Sequence, residues 1–146
     1  MSDKINIAIN IIEGKLDLAD SRAIREVVFV IEQQVPPEIE YDEFEESSTH
    51  IIARVDKNAV GTARWRKTKK GFKLERFAVN LDFRGKGIGN AMVLFILNQL
   101  KADDYISLNS QVSAIGFYAG IGFQAEGEIF YEADIPHRKM IYKPKL

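Results

Sequence analysis

Apolar and polar positions alternate along Ile5-Asn6-Ile7-Ala8-Ile9, the period-two pattern of a strand. Gly14 closes that stretch. Asp17 can cap a helix over 18–34, in which Ile24, Val27, Val28 and Ile31 keep helical spacing up to Val35, and Pro36-Pro37 stops it. Strand-like runs follow at 50–55 and 59–66, joined by a tight turn at Asp56-Lys57-Asn58. Lys69-Lys70-Gly71 marks a second turn ahead of a strand from Phe72 to Val79. The stretch from Gly87 to about Lys101 reads as a helix that is apolar on most sides, so it should be buried. Residues 105–109 predict a central strand, and 113–119 a short helix broken by Gly120 and Gly122. Two final strands, at 123–131 and 138–143, should pair antiparallel across Ala133-Asp134-Ile135-Pro136. This order predicts an α/β (α+β) domain with helices on both faces of a largely antiparallel sheet.

Composition narrows the classes. At 146 residues with 46% hydrophobic content, the chain is expected to form a single domain spanning 1–146. Its 20 basic and 21 acidic residues nearly cancel and form no basic stripe, which argues against nucleic-acid binding. The one strong charge block is Glu38-Ile39-Glu40-Tyr41-Asp42-Glu43-Phe44-Glu45-Glu46. It reads either as a solvated loop or as a rim that attracts a cationic amine. No basic-then-apolar leader appears, and no apolar run approaches ~20 residues, so no membrane association is expected. Cysteine is absent, which removes thiol catalysis and disulfides. A cytoplasmic protein is the simplest expectation.

Chemistry concentrates where the strand 72–79 gives way to the long helix. Arg84-Gly85-Lys86-Gly87-Ile88-Gly89 falls at the helix start. Helix starts leave about four backbone N–H groups unpaired and carry partial positive charge. Glycines let that backbone press against a ligand, and Arg84 and Lys86 add charge, as a phosphate or pyrophosphate site requires. An ATP or GTP P-loop would need G-x-x-x-x-G-K-[ST], which is missing. A dinucleotide loop would need glycine where Asn90 stands. A glycine-rich turn capping a buried helix is the bland reading.

The hexapeptide resembles the pyrophosphate loop of the GNAT superfamily of acyl-CoA-dependent N-acyltransferases. Other stretches extend the resemblance over nearly the whole chain, most to the ElaA-like branch: 28–34, Thr49-His50-Ile51-Ile52-Ala53-Arg54, Gly61-Thr62-Ala63-Arg64, Leu74 to Asn90, and Asn109-Ser110-Gln111 with Phe117-Tyr118-Ala119-Gly120-Ile121-Gly122-Phe123. The resemblance implies a sheet splayed at the cofactor site and acetyl-CoA as co-substrate. Phe77 and Val79 would pair with pantetheine, and Arg84, Gly85, Lys86, Gly87, Ile88, Gly89 and Asn90 would hold the pyrophosphate. A backbone N–H near Ala78 or Val79 would meet the thioester oxygen. The implied reaction is direct acetyl transfer to a primary amine of a small molecule or peptide. A non-catalytic acyl-CoA-binding domain is the alternative. Many members dimerise, so a homodimer stays open.

The remaining candidates have two readings each. Glu75 is either the base that deprotonates the amine or an ion-pair partner of Arg64 or Arg66. Strand alternation would set it on one face with Phe77 and Val79. Tyr118 stands at the family's tyrosine position, as donor to the departing thiolate or as a core residue. His50 and His137 are each a packed or surface residue or a catalyst, and His137, expected in a loop after a proline, could edge the acceptor pocket. Neither has partners at metal-ligand spacing, so no metal is expected. Asn109 and Gln111 bind amides or simply end their strand. Of Arg64 and Trp65, one must face the acceptor side and the other away.

Overall fold

The computed structural model describes residues 5–101 and 104–144. Seven strands form one sheet in the order β1-β2-β3-β4-β5-β7-β6. They are β1 (Ile7–Ile11), β2 (Thr49–Val55), β3 (Asn58–Lys67), β4 (Phe72–Val79), β5 (Ile106–Gln111), β6 (Phe123–Glu132) and β7 (Ile135–Tyr142). Every neighbouring pair is antiparallel except β4 and β5, which run parallel. Helices α1 (Lys15–Arg25), α2 (Pro37–Glu40), α3 (Ile88–Gln99) and α4 (Ile115–Ile121) complete the fold. This is the mixed, largely antiparallel architecture that the hydrophobic pattern predicts.

Several boundaries moved for local reasons. The first strand lies at 7–11, where it pairs with β2, and not at 5–9. Helix α1 starts after Gly14, so Asp17 sits inside its first turn and pairs with Arg54 at 2.7 Å instead of capping. The expected helix over 18–34 divides at Arg25, where it widens into a π-helical stretch, Glu26–Glu32. There Gln33 N donates to Val28 O at 3.2 Å, and Gln34 ends the run at φ 59°. Ile135 and Pro136 belong to β7, because Ala133 and Asp134, at φ 50° and 63°, make the whole turn.

Helix α3 packs its Ile88, Met92, Val93 and Ile96 against the sheet's main core, with Leu74, Ile106, Leu108 and Met140. Gly61 sets how close it can come: a Cβ there would lie 3.2 Å from both Ile88 and Met92. On the other face Ile24 and Val28 cover Ala78, and Ser21 shares a buried 2.6 Å hydrogen bond with Thr62. Trp65 joins the core on the α3 side, so Arg64 faces the opposite layer. No helix among the described residues is long and apolar enough to cross a membrane.

Candidate active site

The parallel pairing of β4 with β5 is short. It covers Phe72 with Ile106, Lys73 with Ser107 and Leu74 with Leu108, and then ends. Both strands continue, to Val79 and Gln111, each held by its other neighbour. The parting follows from a bulge. Arg76 takes φ 60°, and the β3–β4 register slips between Thr62 and Arg64. A non-glycine residue there is strained unless its surroundings hold it. The Arg76 side chain is tied to Glu40 at 3.1 Å and Asp42 at 3.2 Å.

That bulge corrects the expected alternation. Leu74 faces α3, which leaves Glu75 on the α1 face, while Phe77 and Val79 return to the α3 face and Ala78 lies under α1. Glu75 therefore does not share a face with Phe77 and Val79. Beyond the bulge, Asn80 N donates to Val60 O at 2.9 Å. Alternation then turns the N–H and C=O groups of Val79 and Phe77 away from β3 and into the gap. Ala78 directs its own toward β3.

The gap leads to the start of α3. Gly85 and Gly87 take φ 76° and 84°, which favours glycine, and a Cβ on either would meet no protein atom within 4 Å. Gly87 supplies no side-chain cap, and the first turn carries no acid. The N–H groups of Ile88, Gly89 and Asn90 therefore lie ahead of the first intrahelical bond, from Ala91 N to Gly87 O. Such a helix start suits a pyrophosphate, and the open strand edge suits an amide-bearing arm such as pantetheine. Phe117, which sequence reasoning passed over, is 43% exposed and comes within reach of Gly89. Its value as a signal was masked by its place in a short apolar run.

Arg84 is engaged elsewhere. Its guanidinium makes a bidentate pair with Glu32 at 2.7 and 2.9 Å, and its Nε donates to Val79 O at 2.9 Å. A pantetheine arm pairing along Val79 would compete for that carbonyl. Glu32→Gln should weaken the clamp and remove an anion near the glycine-rich start of α3. We expect acetyl-CoA affinity to rise several-fold by calorimetry; an unchanged or weaker affinity would show that the clamp does not oppose binding.

Behind the gap lies a cavity of about 240 Å³. Phe29, Gln33, Val35 and Ile39 wall it from the α1–α2 side, and Asn109, Gln111, Tyr118, Glu132 and His137 from the other. Tyr118 packs edge-to-face with Phe117, Phe123 and Phe77, at centroid distances of 5.0, 5.9 and 6.0 Å. Burial pushes its phenol well above the ordinary tyrosine range. It therefore stays protonated near neutrality. Gln111 donates to Gln33 at 2.9 Å, tying β5 to the end of the π-helical stretch. His137 lies within β7, not in a loop. His50 lies outside the cavity: its Nε2 donates to Glu45 O at 2.8 Å, and its Nδ1 is buried without a partner.

The acidic segment is not wholly a solvated loop: Glu38, Glu43 and Glu46 stay exposed, while Glu40, Asp42 and Glu45 are buried or half-buried. It folds over the β3–β4 face and is met by arginines. Arg25 reaches Glu40 at 2.6 Å and both Glu45 oxygens at 2.8 Å. Arg64, fully buried, takes Asp42 at 2.7 and 2.9 Å and Glu45 at 3.3 Å. Glu75 receives Arg66 at 2.8 Å, Arg64 at 3.1 Å and Lys73 at 3.3 Å. Burial works to raise its pKa, but these three cations outweigh it and hold the carboxyl below the usual range. In that state Glu75 accepts a proton reluctantly. Among the described residues no cluster of three metal-ligating side chains occurs.

Residues 19–144 match the family described as Acetyltransferase (GNAT) domain. The Bacillus subtilis protein YjcF, described as an uncharacterized N-acetyltransferase, is 39% identical over 90% of this chain and 96% of its own length. Among solved structures, an acyl-CoA N-acyltransferase from Pseudomonas aeruginosa superposes with TM-score 0.82 at 23% identity, covering 95% of this chain and 99% of that one. Escherichia coli ElaA does so at 0.79 and 23%, with the same coverage. A Bacillus anthracis protein solved in complex with acetyl coenzyme A aligns over 68% of this chain and 64% of its own, with TM-score 0.57 and 18% identity.

Proposed function

Because the chain belongs to the GNAT acetyltransferases, we propose that it moves an acetyl group from acetyl-CoA directly to a primary amine of a small molecule or peptide. One observation carries this reading: β4 and β5 part, and the gap runs onto an uncapped helix start lined by left-handed glycines. Acetyl-CoA, when bound, supplies the activated thioester. The chain's own groups do the rest. Arg84 to Asn90 would hold the pyrophosphate by backbone N–H groups and charge, and Phe77 and Val79 would pair with the pantetheine arm. The Val79 N–H, turned into the gap, would donate to the thioester oxygen as negative charge grows there. The Tyr118 hydroxyl, among cavity-lining groups, would donate to the departing sulfur. The amine would enter from the walled cavity behind.

Acetyl-CoA and CoA should raise the melting temperature, since a ligand that binds only the native state stabilises it; NAD and ATP should do markedly less. Gly87→Val should abolish the acetyl-CoA shift while the protein remains folded, because the added side chain meets no protein atom nearby and only the ligand's space is lost. Left-handed strain there would cost about 1–2 kcal/mol. Equal shifts from all four ligands, or an intact shift in the valine variant, would sink the assignment. CoA thiol release across a panel of primary amines then tests transfer.

A further inference from the structure

We propose that His137 is the base that takes the proton from the acceptor amine, an inference that rests on the amine-transfer reading above. The geometry is that of an imidazole set to receive. Its Nδ1 donates to the Ile135 carbonyl at 2.7 Å. A carbonyl can only accept, so the neutral ring carries its proton on Nδ1 and leaves the Nε2 lone pair bare. Nε2 has no hydrogen-bond partner among the described residues, and His137 lines the cavity. The ring is 8% exposed and stacks on Phe130 at 5.9 Å and 21°, which fixes where Nε2 points. Its backbone stands opposite Gln111, at the end of β5 beside the parting from β4.

The charged and titratable groups around the cavity are Lys73, Glu75 and Arg76 on β4, Glu40 on α2, Tyr118 on α4 and Glu132 on β6. None makes an ion pair with His137. Glu75 and Glu40 are already bound to cations. His137 thus lacks the partners that make Glu75 a poor proton acceptor. The balance of the step is simple. The acceptor arrives as an ammonium and gives one proton to Nε2, which frees its lone pair to form the C–N bond. As the C–S bond breaks its electrons stay on sulfur, which leaves under the Tyr118 hydroxyl and takes up the second proton that nitrogen loses. Net, ammonium plus thioester gives amide plus thiol, and the proton held on Nε2 passes to water, with no other reactant.

Two probe amines separate this base from a structural histidine: ethanolamine, protonated at neutral pH, and hydroxylamine, which is not. In CoA thiol release, His137→Gln should lose roughly 10²-fold in kcat with ethanolamine. With hydroxylamine the loss should be much smaller. The acetyl-CoA melting shift should stay unchanged. His137→Ala should regain ethanolamine activity when free imidazole is added. In 15N spectra, with His137→Gln providing the assignment of the two histidines, neutral His137 should show a protonated Nδ1 and a bare Nε2. Equal losses with both amines, no imidazole rescue, or the opposite tautomer would each overturn the proposal while leaving amine transfer in place. If the wild type accepts neither probe yet binds acetyl-CoA, transfer to small primary amines itself fails, and this proposal with it.

Discussion

Replacing Arg64 by methionine is expected to remove about 3–5 kcal/mol of stability, the usual range for breaking a buried pair from one side. The size follows from what is left behind. Arg64 is 0% exposed and lies among Asp42, Glu45 and Glu75. Methionine fills much of the volume but leaves three partly or fully buried carboxylates with less positive charge. The pH dependence has a definite sign. Asp42, Glu45 and Glu75 all titrate lower in the folded chain than they would alone, despite burial, because guanidinium groups hold them ionised. Groups with a depressed pKa contribute stability above their unfolded value, and that stability is lost as pH falls through the folded one. In the variant these carboxylates would accept protons earlier. The gap between wild type and variant should therefore be widest near neutrality and narrow below about pH 4. Urea titrations at several pH values measure it. A loss under 1 kcal/mol at neutrality would mean that the cluster is solvated and that the acidic segment is held by something else.

This cluster also shows where sequence reading stopped. The charges of residues 38–46 were plain, but their partners lie far away in the chain, on α1, β3 and β4. Nothing local says that a run of acids will fold over three buried or half-buried arginines. The glycine-rich helix start was legible for the opposite reason. A strand, a glycine-rich turn and an apolar helix follow one another between Phe72 and Gln99, and the chemistry of a helix start is local. The parting of β4 from β5 fell between these cases. It depends on a left-handed backbone at Arg76, a residue type that gives no hint of one. Without that bulge, alternation placed Glu75 beside Phe77 and Val79, and the base assignment leaned on that face. Gln33, too, reaches the site only because the first long helix widens after Arg25 and ends in a left-handed Gln34. Hydrophobic spacing counts turns of the ordinary helix and cannot register such a change.

Tyr118→Phe is expected to lower turnover by roughly 10²-fold while acetyl-CoA still binds. The substitution keeps the ring and its edge-to-face contacts with Phe77, Phe117 and Phe123. It removes one hydroxyl, and burial alone accounts for the upward shift of that phenol, with no hydrogen-bond partner contributing. No protein donor or acceptor is thus orphaned, so stability should change by less than about 1 kcal/mol. The defect should appear in kcat, because the hydroxyl matters once the sulfur gains charge. A thiol with an ordinary pKa of about 8.5 gains little from a phenol that holds its proton far more tightly, so full transfer is uphill. In the proposed reaction the phenol would act by hydrogen bonding to the developing thiolate. Since burial keeps it protonated across the whole neutral and mildly alkaline range, the loss should not vary with pH there. That pH independence distinguishes a fixed donor from a group that titrates in this range. Thiol release measured from pH 6 to 9 tests it. Wild-type turnover in the Phe variant would return Tyr118 to the core, and a loss confined to one end of the pH range would make it a titrating acid instead of a fixed donor.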